Sequence, residues 1–168
     1  LILEGARQVG KTWLLKEFGK NEYDNVVYLN CADSDIVRNL FQHDLKPQRI
    51  LRDIMAITSQ KIVPAHTLII FDEIQEAPNG ITALKYFCED APEYHVVASG
   101  SLLGIALRKE TSFPVGKIDM LRLAPLSFEE FMAATGNERF LRVVNKPTDV
   151  ALFADKFETL FREYLIVG

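Results

Sequence analysis

The stretch GARQVGKT, Gly5 to Thr12, governs the reading of everything around it. Two glycines bracket four residues, Ala6, Arg7, Gln8 and Val9, and a lysine and a hydroxyl follow the second glycine at once. Leu1-Ile2-Leu3 ahead of it is a short apolar strand. Trp13-Leu14-Leu15-Lys16-Glu17-Phe18 behind it runs as a helix. Strand, glycine-bounded loop and helix in this order, with the spacing G-x-x-x-x-G-K-[ST], form the phosphate-binding loop pattern. Glycine lets the backbone approach a ligand with no Cβ in the way. The successive N–H groups of Gly5, Ala6, Arg7, Gln8, Val9 and Gly10 are then free to point at phosphate oxygens, and the helix N-terminus adds partial positive charge. In such a loop Lys11 reaches the β- and γ-phosphates and the Thr12 hydroxyl ligates magnesium.

Working outward, Val26-Val27-Tyr28-Leu29 is a short buried strand ending at Asn30, and 34–40 and 47–58 read as helices. Thr67 to Phe71 is a continuous apolar run, as a strand buried on both faces requires. It delivers Asp72 and Glu73, about 60 residues beyond Thr12. An apolar strand ending in an acid is the Walker B form: Asp72 holds the magnesium opposite Thr12, and Glu73 is placed to take a proton from water aligned with the γ-phosphate. A helix carrying Ile81, Leu84, Phe87 and Cys88 on its apolar side follows, then a strand over 94–98 leading into Ser99-Gly100-Ser101, a helix over 102–109 and a fifth strand over 118–123. Strands alternating with helices imply an α/β architecture with a mostly parallel five-stranded sheet, which places the glycine loop, Asn30, Asp72-Glu73 and Ser99 along one edge, at the carboxyl ends of the strands. Beyond Pro125 the pattern turns helical. Ser127 and Glu130 form a capping box for a short helix closed by Gly136, Lys146-Pro147-Thr148 breaks the chain, and Phe153, Phe157, Leu160, Phe161 and Tyr164 mark one face of a longer helix.

The 168 residues suffice for one domain with a real core, and a hydrophobic share of 48% with 25% charged residues is ordinary for a globular protein. A net charge of -4 supplies no bulk attraction to nucleic acid or anionic membranes, which leaves a local basic groove open. No apolar run reaches the ~18–20 residues of a membrane helix, so a membrane is not expected as a partner. Cys31 and Cys88 have no Cys or His at metal spacing and read as reduced, partly buried thiols of a cytoplasmic protein. The first residue is leucine and the first strand is short, which reads as a piece cut from a longer chain.

Taken in order, GARQVGKT, LIIFDEIQ, ASGSLLG, SFPVGK and LAPLSFEEF resemble the large bacterial and archaeal family of predicted AAA-type ATPases whose members carry a C-terminal domain of unknown function. The last three stretches are more specific to that family than the first two. The closing YLIVG resembles the start of a family segment that continues further, which implies that the C-terminal domain has been cut away. The resemblance implies a P-loop NTPase core of three α/β/α layers over 1–124, its first strand truncated, with an extra strand between those of the two motifs, and a helical extension over 125–168. It also implies ATP as ligand or substrate, Mg2+ as cofactor, and Glu73 and Lys11 as catalytic residues. Ser99, with Ser101 as its competitor, stands where related ATPases keep a polar sensor of the γ-phosphate. Asn30 stands where they keep a residue that restrains the catalytic glutamate, and serves equally well to satisfy backbone groups at a strand end. Arg108, Lys117 and Arg122 are candidates for an arginine-finger role, although a lysine cannot make the same bidentate contact.

Three functions share these motifs. The first is a Mg-dependent ATPase whose hydrolysis drives a conformational change, and the second a slowly hydrolysing ATP-gated switch that acts through a protein partner or self-association. A small-molecule kinase ranks last, because Glu73 beside Asp72 suits activation of water and no arginine-rich lid is present.

Overall fold

The computed structural model describes residues 1–101, 118–144 and 152–167. The helix expected over 102–109, the break at 146–148 and the candidates Arg108 and Lys117 lie outside the described residues. Five strands form one sheet: β1 (Ile2–Glu4), β2 (Asn25–Asn30), β3 (Thr67–Asp72), β4 (His95–Gly100) and β5 (Met120–Arg122). Their order is β2-β3-β4-β1-β5 and every pairing is parallel. β4 lies between the glycine-loop strand β1 and the acid-bearing strand β3, as the family resemblance implies.

Why β3 lies inside the sheet, between β2 and β4, follows from its sequence. All six of its residues are buried. Leu68 and Ile70 face one side with Leu15 of α1 (Lys11–Glu22), while Ile69 and Phe71 face the other with Ile50 and Ile54 of α3 (Pro47–Thr58) and Phe87 of α4 (Gly80–Asp90). Only a two-sided strand has use for an unbroken apolar run, and each such side chain contributes roughly 1.5–3 kcal/mol on burial. The layers are therefore α1, the sheet, and α3 with α4. The short helix α2 (Asp35–Asn39) is capped by the Ser34 hydroxyl, which accepts from the Val37 N–H.

The chain divides into two compact units, Leu1–Leu123 and Ala124–Gly168. The second contains α5 (Phe128–Ala134), a 3-10 turn (Glu138–Phe140), α6 (Leu141–Val144) and α7 (Ala154–Val167). Its capping box is formed as expected: Ser127 Oγ accepts from the Glu130 N–H at 3.2 Å, and Glu130 Oε2 accepts from the Ser127 N–H at 2.7 Å. Met132, Phe140 and Leu160 form its small core.

Candidate functional site

The glycine loop joins β1 to α1 on the strand-end edge of the sheet. Gly5 has no room for a side chain, since a Cβ there would strike the carbonyl oxygen of Leu123 just past β5. Gln8 and Gly10 both take left-handed backbone, at φ 65 and φ 93. Alternation of this kind turns consecutive N–H groups to one side and makes an anion-binding concavity. Lys11 is the first residue of α1, whose first turn carries no acid. A cation is disfavoured at a helix N-terminus unless an anion joins it. Here its ammonium, 5% exposed, donates to the carbonyls of Gly5 (3.0 Å) and Ala6 (2.7 Å). Two of its three protons are thereby used inside the loop.

Asp72 ends β3, 3% exposed, and gathers the site around itself. Thr12 Oγ1 and the Tyr28 hydroxyl donate to its Oδ2 at 2.6 and 2.8 Å. Ser99 Oγ and the Glu73 N–H (3.2 Å) donate to its Oδ1. Burial pushes the Asp72 carboxyl up, but the bonds from Ser99, Thr12, Tyr28 and the Glu73 backbone together outweigh it and hold the pKa below the ordinary value. Tyr28 moves the other way. Burial first, then the bond to Asp72 and its charge, raises the phenol far above its usual range, so it stays protonated and donating. Lys16 sits over the Tyr28 ring, its Nζ 3.6 Å from the centroid.

Glu73 follows in left-handed backbone, φ 51 and ψ 47, and lines the same cleft as the loop. Its Oε2 accepts from Gln75 Nε2 at 2.5 Å and from Ser101 Oγ at 3.3 Å. The two serine candidates thus separate: Ser99, wholly buried, serves Asp72, and Ser101 approaches Glu73. Asn30 pairs in register with Asp72, yet its side chain turns into its own loop, accepting from the Ala32 N–H at 2.8 Å and donating to Asp33 at 2.7 Å. That is the backbone-satisfying arrangement open to an asparagine at a strand end. Arg122, exposed, ends β5 in register with Glu4, the residue before Gly5. Tyr28 and Gln75 are the site residues that sequence reasoning missed.

A cleft of about 580 Å³ is lined by Arg7, Gln8, Lys11, Thr12 and Trp13 from the loop and the head of α1, and by Asn30, Glu73 and Glu76 from the ends of β2 and β3 and the turn that follows. It offers backbone N–H groups and an ammonium to an anion. Beside the ammonium, the Thr12 hydroxyl and the Asp72 carboxylate it bonds are hard oxygen donors of the kind a small divalent cation takes. Of the thiols, Cys31 is buried and its pKa is pushed up to about 12, first by burial and then by the Asp72 charge. Cys88 is exposed, contrary to expectation: the buried line of α4 runs through Ile81, Leu84 and Phe87, and residue 88 lies one step around the helix from it.

A family model described as an AAA domain matches residues 1–132. Among solved structures, the chain is similar to the Aeropyrum pernix ORC2 protein in its ADPNP-ADP complexes, with a TM-score of 0.55 and 18% identity over 82% of this chain and 44% of that one. It is also similar to the Aeropyrum pernix ORC1 protein in complex with DNA, with a TM-score of 0.51 and 13% identity over 82% of this chain and 42% of that one. At these identities the likeness is one of fold, and the chain spans less than half the length of either. No curated protein matches the sequence. No helix among the described residues is long and apolar enough to cross a membrane.

Proposed function

The chain belongs to the AAA domain family, and on that footing we propose that it binds ATP with Mg2+ at the Gly5–Thr12 loop and hydrolyses it, coupling the reaction to a conformational change. The observation that carries this reading is the 2.6 Å bond from Thr12, at the head of α1, to Asp72, at the end of β3, across 60 residues of sequence. A hydroxyl and a carboxylate held together beside a phosphate-binding loop are the ligands a magnesium ion needs from the protein when phosphates and water supply the rest. Thr12 and Asp72 would hold it, and the ion would supply neutralisation of phosphate charge there.

The chain's own residues do the remaining work. The N–H groups of the loop receive the phosphate oxygens, and Lys11 exchanges its carbonyl partners, Gly5 and Ala6, for them. Glu73 accepts the proton as a water oxygen bonds to the γ-phosphorus and the bond from that phosphorus to the β–γ bridging oxygen breaks, leaving ADP and phosphate. Ser101, already on the Glu73 carboxylate, is the better placed of the two serines to sense the γ-phosphate, because Ser99 is committed to Asp72. Arg122, ending β5 beside β1, supplies the finger-type cation if Arg108 or Lys117 does not. The output is carried by a protein partner or by a second copy of the chain.

Calorimetric titration of the full-length protein with Mg·ATP, wild type beside Lys11→Ala, tests the reading. Removal of charge-assisted bonds worth ~1.5–3 kcal/mol should weaken binding by about 10- to 100-fold or more. Equal affinity in the two proteins would sink the assignment. Tight binding with no phosphate release, with or without duplex DNA, would make the protein an ATP-gated switch.

A further inference from the structure

We infer that Gln75 is the positioning residue of the Glu73 carboxylate, an assignment that rests on Glu73 being the general base. In a helical turn residues two apart point in different directions, and three local features bring Glu73 and Gln75 together. Glu73 adopts left-handed backbone, which for a residue other than glycine is uncommon and folds the chain back at the end of β3. Ile74, with no exposed surface, is sunk into the apolar core beneath the sheet. The 3-10 turn of residues 74–76 then closes, the Glu76 N–H donating to the Glu73 carbonyl at 2.9 Å. With the residue between them anchored inward, Glu73 and Gln75 are left beside each other, and Gln75 Nε2 donates to Glu73 Oε2 at 2.5 Å.

The orientation of the amide is informative. Gln75 Oε1 is buried and has no hydrogen-bond partner among the described residues, while Nε2 faces the carboxylate. Flipping the amide would set an acceptor against an acceptor. Gln75 therefore leaves its own oxygen unsatisfied in the arrangement that holds Glu73, which a side chain placed for packing alone has no reason to do. Asn30, at the strand end where a restraint on the glutamate is expected, is occupied within its own loop. With Oε2 tied by Gln75 and Ser101, Oε1 of Glu73 accepts no bond from another described residue and is the oxygen left to take a proton. General-base catalysis depends on such fixing, since a 1 Å misplacement can cost ~10²-fold in rate.

A double-mutant cycle in the full-length protein separates this role from a structural one. Gln75→Met keeps the length of the side chain and loses the donor. It should lower kcat by about 10-fold or more with KM within ~3-fold, and in a Glu73→Gln background it should change kcat by less than ~2-fold, because its effect passes through Glu73. Equal fold losses in both backgrounds, or a loss confined to KM, would overturn the assignment. A second readout needs no turnover and no change at Gln75. With glutamine labelled by 15N, the side-chain amide of Gln75 should shift on Glu73→Ala, and an unmoved signal would also overturn it. If the wild type releases no phosphate, the general-base reading falls, and the amide signal still decides whether Gln75 holds Glu73.

Discussion

Ser99→Ala should destabilise the protein before any nucleotide is added. The hydroxyl is wholly buried at the end of β4 and donates to Oδ1 of Asp72. Deleting it leaves that oxygen with the Glu73 N–H alone, at 3.2 Å, while Thr12 and Tyr28 stay on Oδ2. A hydrogen bond to a charged group is worth ~1.5–3 kcal/mol, and the missing oxygen leaves too small a space for water to replace it. With a urea slope of ~2 kcal/mol/M, the unfolding midpoint followed by circular dichroism should fall by about 1 M at pH 7. The pH dependence carries a sign. Asp72 is held below its ordinary value of 3.8, so its contribution is present above that pH and is lost as the pH falls through its folded-state pKa. Removing Ser99 takes away the largest of the lowering bonds. The variant's Asp72 pKa therefore moves up toward the unfolded value, and less stability is left for it to lose on acidification. The gap between the two proteins should be widest above pH ~5 and should narrow on further acidification. Midpoints within ~0.2 M of each other at pH 7, with changed ATP affinity instead, would refute this and return Ser99 to a phosphate-sensing role.

Two further outcomes are expected. Gly5→Ala sets a Cβ against the Leu123 carbonyl oxygen, a backbone atom with little freedom to move, so it should cost ~1–3 kcal/mol in thermal or urea unfolding and weaken ATP binding; an unchanged midpoint would contradict the close approach. Iodoacetamide at pH 8 followed by mass spectrometry should label Cys88 and spare Cys31, which is buried with its pKa raised to about 12; equal labelling of the two would contradict the packing around β2.

Residues that act through local pattern were legible in the sequence. Pro47 at a helix start and the spacing of Ile50, Leu51 and Ile54 mark α3 at the same bounds in sequence and structure. The unbroken run of β3 marks a strand covered on both faces for the same reason. Contacts set by register across the sheet were not legible. Tyr28 reads as one more apolar strand residue, and its bond to Asp72, 44 residues away, exists only because β2 and β3 pair with Tyr28 beside Ile70. Gln75 was hidden differently. Its proximity to Glu73 depends on a left-handed residue that no glycine or asparagine announces. Asn30 shows the converse: its place at the strand end is correct, and the loop that follows claims its side chain through Ala32 and Asp33.

Phosphate release from Mg·ATP by the full-length protein, measured for the wild type and Glu73→Gln at matched nucleotide occupancy, tests the central claim most directly. Glutamine keeps the size of the side chain and an acceptor for the Gln75 amide but cannot take a proton from water. ATP affinity should stay within a few-fold of wild type while turnover falls by ~10²–10⁴, the usual worth of a general base. Hydrolysis by Glu73→Gln at the wild-type rate would contradict the account.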